Sequence, residues 1–454
     1  MTQNSKIHDG KNERIKLKRF SVFTFGCKTN QSESDVIIRE LLSCGFELVQ
    51  YGEKPDFMII NTCTVTSISD KKARQLIRRI KLLNPLAKII VTGCFVNFNN
   101  EFLNKTGIDY IFSNEHKDEI TGFIKKESGY DNLSADKEAR LQLTGRHTRE
   151  FIKIQDGCEQ KCSYCIVPYV RNKYKSQLPG KIIEGINLAS ANGLEEIVIT
   201  GIHIGKYGAD FNSNDSVAID NVKFSDLNLC SLLELLIKKT HIKRIRLSSI
   251  EINEITDELQ LLIKNNDRLA KHLHIPLQSG SSKVLSDMRR PYDSSFFFEK
   301  IKKIKKLLPD AALTSDIIVG FPGETNADFN ETLNAALEIN FSKIHVFKYS
   351  PRKFTPAALM DDQVKEEIKN ERSLKLRELA LELRQAYINS NNGKILKVAI
   401  EKINYSKGYA SGMSENYIKV YFPLNEHSEE LKIGNIVNAK ADRAYLDGLQ
   451  GFLI

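Results

Sequence analysis

Residues Asp156 to Cys165 read DGCEQKCSYC, and no other stretch constrains the chain as strongly. Cys158, Cys162 and Cys165 are separated by three and two residues, with no fourth cysteine beside them. Four close cysteines complete a site, as in a zinc ribbon or a fully ligated iron–sulfur cluster. Three can hold three irons of a 4Fe-4S cubane and leave the fourth open to a substrate. A zinc knob wants a fourth ligand at short spacing, and the nearest candidate, His147, lies outside the loop. Buried packing thiols have no reason to choose this spacing. The triad follows the apolar run FIKIQ, so it is expected in a loop at the end of a strand.

The C-x3-C-x2-C spacing in that context resembles the radical S-adenosylmethionine (SAM) superfamily. The resemblance implies that the free iron is chelated by the amino and carboxylate groups of SAM. One-electron transfer into the sulfonium then yields methionine and a 5′-deoxyadenosyl radical.

The chain has 454 residues, enough for about three domains. With 41% hydrophobic and 27% charged residues it can bury a sizeable core. No apolar run approaches the ~20 residues of a membrane helix, so no membrane partner is expected. Residues 1–18 are polar and basic without a hydrophobic centre, which reads as a disordered arm rather than a signal peptide. A net charge of +9 permits a polyanionic partner without demanding one. Eight cysteines in a long chain lacking a signal peptide imply a cytoplasmic protein with reduced thiols.

Residues 19–130 read as a first α/β domain. Its strands are FSVFTFGC, DFMIINTC and KIIVTGC, and its helices are VIIRELLSCGF, capped by Ser34 or Asp35, and Ser69 to Leu83. The alternation implies a small parallel sheet. Cys27, Cys63 and Cys94 each end a strand, where ligands of open α/β sheets gather. Each is flanked by a small or glycine residue, which favours a second open-sited cluster over three packing thiols. Cys44 and Cys230 lack that setting and read as packing residues. Lys71, Arg74, Arg78 and Lys81 share one helix face, either solvated or available to phosphates. Residues 117–148, charged and turn-rich, read as a linker.

Residues 144–375 alternate six apolar strands with helices: FIKIQ, EIVITG, RIRLSS, HLHIPLQ, LTSDIIVG and KIHVFKYS. Six repeats imply a partly closed parallel barrel, with functional groups at the strand ends. Thr200, Gly201, Ser248, Ser249, Glu251, Gln278, Ser279 and Gly280 are candidates there. The run GFPGE, Gly320 to Glu324, should turn sharply and let backbone approach a ligand. A charged helix, 364–389, leads out of the barrel. Residues 390–454 then show five short strands, the pattern of a small antiparallel barrel of a size that often binds oligonucleotides.

Taken together these features resemble the radical SAM methylthiotransferases, with a C-terminal module similar to that family's RNA-binding TRAM barrel. The runs FGCKTN, NTCTVT, CSYCIVPY, TGIH, HLHIPLQSGS, DIIVGFPGET and HVFKYSPR look like the branch acting on threonylcarbamoyladenosine in tRNA, 3′ to the anticodon. The resemblance implies a SAM cluster on Cys158, Cys162 and Cys165 and an auxiliary 4Fe-4S cluster on Cys27, Cys63 and Cys94. Gly201, Ser249, Glu251 and Gln278 are then expected at SAM. It further implies two SAM molecules per turnover, one methylating a sulfur on the auxiliary cluster and one supplying the radical that opens adenine C2. A small-protein electron donor and a sulfur donor are also implied. Arg171, Lys175 and Arg352 are the cationic candidates for the threonyl carboxylate. Two departures from the family pattern stand out. Asn172 and Lys175 occupy positions usually held by glycine and arginine, and Phe354 stands where glycine is common. Competing readings are the isopentenyladenosine branch, a branch modifying a ribosomal-protein aspartate, and a non-catalytic iron–sulfur RNA-binding protein.

Overall fold

In the computed structural model of the chain, residues 18–129, 148–211, 223, 226–424 and 431–454 are described. The basic leader to residue 17 and most of the expected linker, 130–147, lie outside them. No helix among the described residues is long and apolar enough to cross a membrane.

The first unit is a parallel sheet in the order β2-β1-β3-β4-β5: β1 (Arg19–Thr24), β2 (Glu47–Leu48), β3 (Phe57–Thr62), β4 (Lys88–Gly93) and β5 (Tyr110–Ile111). Its central strand, FMIINT, is buried along its whole length, as a strand covered on both faces must be. The first helix begins earlier than the sequence implied. It spans Lys28–Ser43, with Cys27 at its N-cap, so Ser34 and Asp35 lie inside it rather than capping it. Its polar run KTNQSES is mostly buried, and its hydrogen-bonding partners lie in other elements. The second helix, Ser67–Leu83, is capped by Thr66, whose hydroxyl accepts from the Ser69 N–H. Part of the expected linker is ordered instead as the helix Glu119–Ser128, which packs Ile120 and Ile124 against this sheet.

The second unit starts at β6 (Glu150–Asp156), followed by β7 (Lys175–Ser176), β8 (Glu196–Gly201), β9 (Arg244–Leu247), β10 (His272–His274), β11 (Ala312–Val319) and β12 (Lys343–Lys348). The short β7 runs antiparallel to β6, while β6, β8 and β9 are parallel, as are β10, β11 and β12. Single parallel bridges, Ile245 to Leu269 and Ser249 to His274, join the two groups. Six parallel strands thus curve in chain order, as the six apolar runs implied. Outward residues such as Ile197, Ile245, Leu273 and Ile317 form one core with the covering helices.

The helix Glu366–Asn389 leads to a closed barrel of β13 (Ile395–Asn404), β14 (Tyr409–Ser414), β15 (Lys419–Pro423), β16 (Ile436–Tyr445) and β17 (Gly448–Leu453). Its closure departs from the expected fully antiparallel form, because β15 pairs with β17 in parallel. This barrel is tied to the second unit by buried arginines. Arg244 donates to the Lys397 carbonyl at 2.7 Å, and Arg246 to the carbonyls of Ser414 and Glu415 at 2.9 and 3.0 Å.

Candidate functional site

The loop after β6 carries the contiguous thiol triad. Gly157 opens it with a left-handed backbone (φ +77°), and a Cβ there would fall 1.7 Å from the Lys173 carbonyl oxygen. The Cys158 N–H donates to the Arg171 carbonyl at 2.9 Å, and the Cys165 N–H to the Cys162 carbonyl at 3.1 Å. Each of two thiols meets a nitrogen. Arg290 Nη1 donates to Cys162 Sγ at 3.4 Å, and His203 Nδ1 lies 3.4 Å from Cys158 Sγ. Arg290 also pairs with Glu251 and donates to the Tyr292 hydroxyl at 2.9 Å. His203 Nε2 stands 2.8 Å from Glu254 Oε1, an ion-pair contact whose angle falls short of a hydrogen bond. Burial works against the charged imidazole, but Cys158 and Glu254 together raise His203 to about 9.

The dispersed triad converges at the carboxyl ends of β1, β3 and β4. Burial pushes the Cys63 thiol up to about 11, and the proximity of Cys94 and Cys27 adds to it. Close packing sets this convergence: a Cβ at Gly93, the residue before Cys94, would fall 2.2 Å from the Thr62 carbonyl. Cys94 Sγ accepts from Arg171 Nε at 3.5 Å and faces Asn114 Nδ2 at 3.6 Å. Cys27 is exposed, whereas Cys63 and Cys94 are buried.

Arg171 joins the two triads. Its carbonyl holds the Cys158 N–H and its guanidinium holds Cys94. The same guanidinium donates to Glu33 at 2.8 and 3.0 Å, to Asp156 at 2.6 Å and to Asn30 at 3.1 Å. Lys117 and Lys153 complete the node around Glu33. Burial alone would raise the Glu33 carboxyl, yet these three cations hold it well below the usual range. Arg171 is thus fully committed inside the protein instead of facing a ligand. Arg352 has a similar occupation, donating to Thr64 Oγ1 and Asp70 Oδ2 at 2.7 Å each, directly after Cys63. Lys175 alone of the three cationic candidates is exposed.

The other strand-end candidates divide in two. Gly201, Ser249, Glu251 and Gln278 border the contiguous triad's end of the barrel; Gln278 takes a left-handed φ of +66° and its N–H donates to the Asp316 carbonyl at 2.9 Å. Ser279 and Gly280 are buried against Thr332, a packing role. Thr200 and Ser248 are buried as well. In GFPGE, Gly320 (φ +71°) and Gly323 (φ +75°) turn the chain, and Glu324 closes the turn by accepting from the Gly320 N–H at 2.6 Å. The basic helix face is partly engaged at home. Arg74 donates to Asn99 at 2.7 Å, Arg78 lies over the Phe102 ring, and Lys81 donates to the Thr106 carbonyl at 2.8 Å. Phe354 does adopt the left-handed backbone of a glycine position (φ +74°), and its ring packs on Phe98. His203, Glu254, Arg290 and the Glu33 node escape sequence reasoning, because their partners lie far away in the chain.

One ion holding three thiolates at about 2.3 Å would set the sulfurs about 3.8 Å apart. Among the described residues only His274, Asp316 and His345 bring three such ligand atoms within 4.8 Å of one another. Neither cysteine triad is that tight. Burial pushes Cys165 up to about 12, a bias toward the neutral thiol that a metal cation reverses.

Fold and site define a radical SAM protein with a second thiol triad on an appended α/β unit. Residues 152–336 match the Radical SAM superfamily, and residues 19–113 match a family described as Uncharacterized protein family UPF0004. The chain is 38% identical over 437 residues to threonylcarbamoyladenosine tRNA methylthiotransferase MtaB of Bacillus subtilis, covering 93% of each chain. It is 36% identical to the protein of the same name from Thermotoga maritima, over 91% of this chain and 93% of that one. A tRNA-2-methylthio-N(6)-dimethylallyladenosine synthase of Thermodesulfovibrio yellowstonii is 33% identical, over 97% of this chain and 100% of its own. Among solved structures, the radical S-adenosylmethionine methyltransferase TsrM of Kitasatospora setae superposes with a TM-score of 0.54. At 14% identity over 76% of this chain and 77% of that one, it shares the fold. The chain belongs to the radical SAM methylthiotransferase family, whose members are enzymes using SAM and a 4Fe-4S cluster.

Proposed function

We propose that the protein methylthiolates C2 of N6-threonylcarbamoyladenosine in tRNA, at the adenosine 3′ to the anticodon. One observation carries the reading: Arg171 holds a cysteine of each triad, Cys94 by its thiol and Cys158 by its backbone N–H, so two cluster-type sites face one interface. In this reading Cys158, Cys162 and Cys165 hold the SAM cluster, and Cys27, Cys63 and Cys94 hold a second, auxiliary one. When bound, the two clusters supply the electron that cleaves SAM and a seat for the incoming sulfur, with two SAM molecules consumed per turnover. The chain's own residues position and insulate. Arg290 and His203 donate toward thiolates, fixing the loop and offsetting its charge. Gly201, Ser249, Glu251 and Gln278 line the SAM end of the barrel.

Each of the three units has its own part in this reaction. Residues 19–130 carry the auxiliary site, 144–375 the SAM site, and 390–454 bind RNA. Exposed Lys175 serves the tRNA phosphates beside them. A small-protein reductant and a separate sulfur donor complete the reaction. The relatives named for threonylcarbamoyladenosine, at up to 38% identity against 33% for the dimethylallyl branch, support this substrate. Reconstituted enzyme with reductant, SAM and two tRNAs, one carrying each modification, tests it by nucleoside mass spectrometry. A methylthio group on the threonylcarbamoyl form is expected. Its appearance on the isopentenyl form alone would overturn the substrate.

A further inference from the structure

The barrel interior holds a polar constellation to which the chemistry above gives no role. In the register of β10, β11 and β12, His274 stands opposite Thr314 and Asp316 opposite His345. The alternate residues of these strands, Leu273, Leu313, Ile317, Ile344 and Val346, form the outer core, so the histidines and Asp316 face the lumen. His274 Nε2 lies 3.3 Å from Asp316 Oδ2. A half-open cleft of about 310 Å³ lies where all three units meet; His274, Asp316 and His345 do not line it, but Lys28 does and lies within charge range of Asp316 and His345. Lys28 lines it from the first unit, Arg149 and Arg246 from the second, and Glu401 and Tyr417 from the third.

The charges in this chamber do not balance. Arg149 is paired with Glu401, and Arg246 is held by Glu196 and two carbonyls. Among the described residues Lys28 has neither a hydrogen bond nor an ion pair, though it lies close enough to Asp316 and His345 to feel their charges. Among the described residues Lys343, one lumen-facing position below His345, only covers the Tyr417 ring. The buried His272 stacks on that same ring, and its Nδ1 has no hydrogen-bond partner among the described residues. Two histidines and a carboxylate are also a ligand set for a divalent ion. With Glu401 and Glu196 already paired to arginines, two neighbouring ammonium groups face one remaining carboxylate, Asp316, which makes the lumen a poor place for a further dication. They suit an anion.

We propose that this chamber receives the anionic end of the modified adenosine, the threonyl carboxylate, with Lys28 as its ion-pair partner and His345 as a second donor. This rests on the substrate reading above and deepens it. Lys28 follows Cys27 directly, so the chamber adjoins the site where C2 must be presented. The side chain on N6 of the same ring would then reach down into the lumen. An apolar isopentenyl group placed there would leave a desolvated ammonium unpaired, which is how a polar pocket rejects an apolar analogue.

The test uses the holoenzyme and two forms of one tRNA, the natural threonylcarbamoyl form and its methyl ester. The wild type should lose roughly tenfold to a hundredfold in kcat/KM on the ester, the size of one lost charge-assisted hydrogen bond. Lys28→Met should lose a similar factor on the free acid and little further on the ester, with Lys28→Arg restoring most of it. Iron content and the cluster's electron paramagnetic resonance signal check that Cys27 is undisturbed. His345→Phe repeats the test on the opposite wall, with a loss of about two- to tenfold expected for a neutral donor. If both variants discriminate acid from ester as the wild type does, the chamber is refuted and the substrate stands. If the wild type ignores the threonylcarbamoyl tRNA altogether, both fall.

Discussion

The two thiol triads solve one problem by opposite routes. Cys158, Cys162 and Cys165 sit in one loop, so chain connectivity alone brings them together, and Gly157 with the Arg171 carbonyl sets the bend. Cys27, Cys63 and Cys94 come from three strands, and only the sheet's register and the close approach at Gly93 assemble them. Each triad nevertheless has one buried arginine on a thiol, Arg290 on Cys162 and Arg171 on Cys94. Arg290 pairs with one carboxylate at the barrel's own strand end. Arg171 draws in Glu33, Asp156 and Asn30 from both units. The local triad is thus a property of one loop, and the dispersed triad a property of the interface.

The strongest way to break the comparison is to remove each triad in turn. Alanine at Cys158, Cys162 and Cys165 should abolish SAM cleavage and leave about half the iron. Alanine at Cys27, Cys63 and Cys94 should spare cleavage and stop methylthiolation. Iron assay and 5′-deoxyadenosine release check both; cleavage by the first variant would sink the assignment of its loop.

The arginines come next. Arg171→Met leaves Glu33 and Asp156 short of a buried counter-charge, a loss of about 3–5 kcal/mol in denaturant unfolding. Arg290→Met exposes Glu251 to a similar but smaller imbalance, since Glu251 is partly accessible. Spectroscopy should separate the two. Arg171→Met should disturb both clusters, Arg290→Met only the one that binds SAM. An Arg171 variant that perturbs neither would show that the node is merely structural packing.

Much of this is legible in the sequence, for reasons the triads illustrate. Contiguous spacing and apolar runs are local signals, so they place the loop cysteines, the six barrel strands and the C-terminal strands. Convergence of Cys27, Cys63 and Cys94 follows from a rule about strand ends. The helix start at Lys28 is hidden because its first turns are polar, and polarity reads as loop. In the fold that polar face is buried: Asn30 donates to the carbonyls of Phe25 and Thr62, and Glu33 meets Lys117, Lys153 and Arg171. Arg171 looks like a ligand contact in the sequence for the same reason, since its partners lie up to 141 residues away, at Asn30. The β15–β17 pairing is equally invisible, because strand patterning carries no information on direction.

A smaller effect compares Glu33 at the interface with Glu196, which is ringed by Arg246, Arg149 and Arg244. Burial opposes ionisation, but the three arginines bring Glu196 down to about 2. A depressed carboxyl stabilises the fold above its unfolded pKa, and that contribution is lost as pH falls through the folded value. Glu196 should therefore contribute about 3 kcal/mol near neutrality, declining between roughly pH 4.5 and 2. Glu196→Gln should flatten the acid limb of the stability profile there while leaving cluster spectra unchanged at pH 7. An unaltered acid limb would mean that the unfolded chain keeps the same ion pairs.

The smallest expected effect lies at Phe354, where barrel and first unit touch beyond Cys94. Its ring packs against Phe98, with centroids 5.3 Å apart, on the short helix that follows the Cys94 loop. Its backbone meanwhile holds a left-handed φ of +74°, costly for a bulky residue. Phe354→Gly relieves that strain but removes an aromatic contact worth about 0.5–1.5 kcal/mol, so the net change in stability should stay within about 1 kcal/mol. The functional readout is more informative than the stability. Losing the ring loosens only the loop beyond Cys94, so methylthiolation should fall a fewfold while SAM cleavage holds. Equal loss of both activities would place the contact in the service of the barrel instead, and the dispersed triad would then depend on the interface less than the arginine node implies.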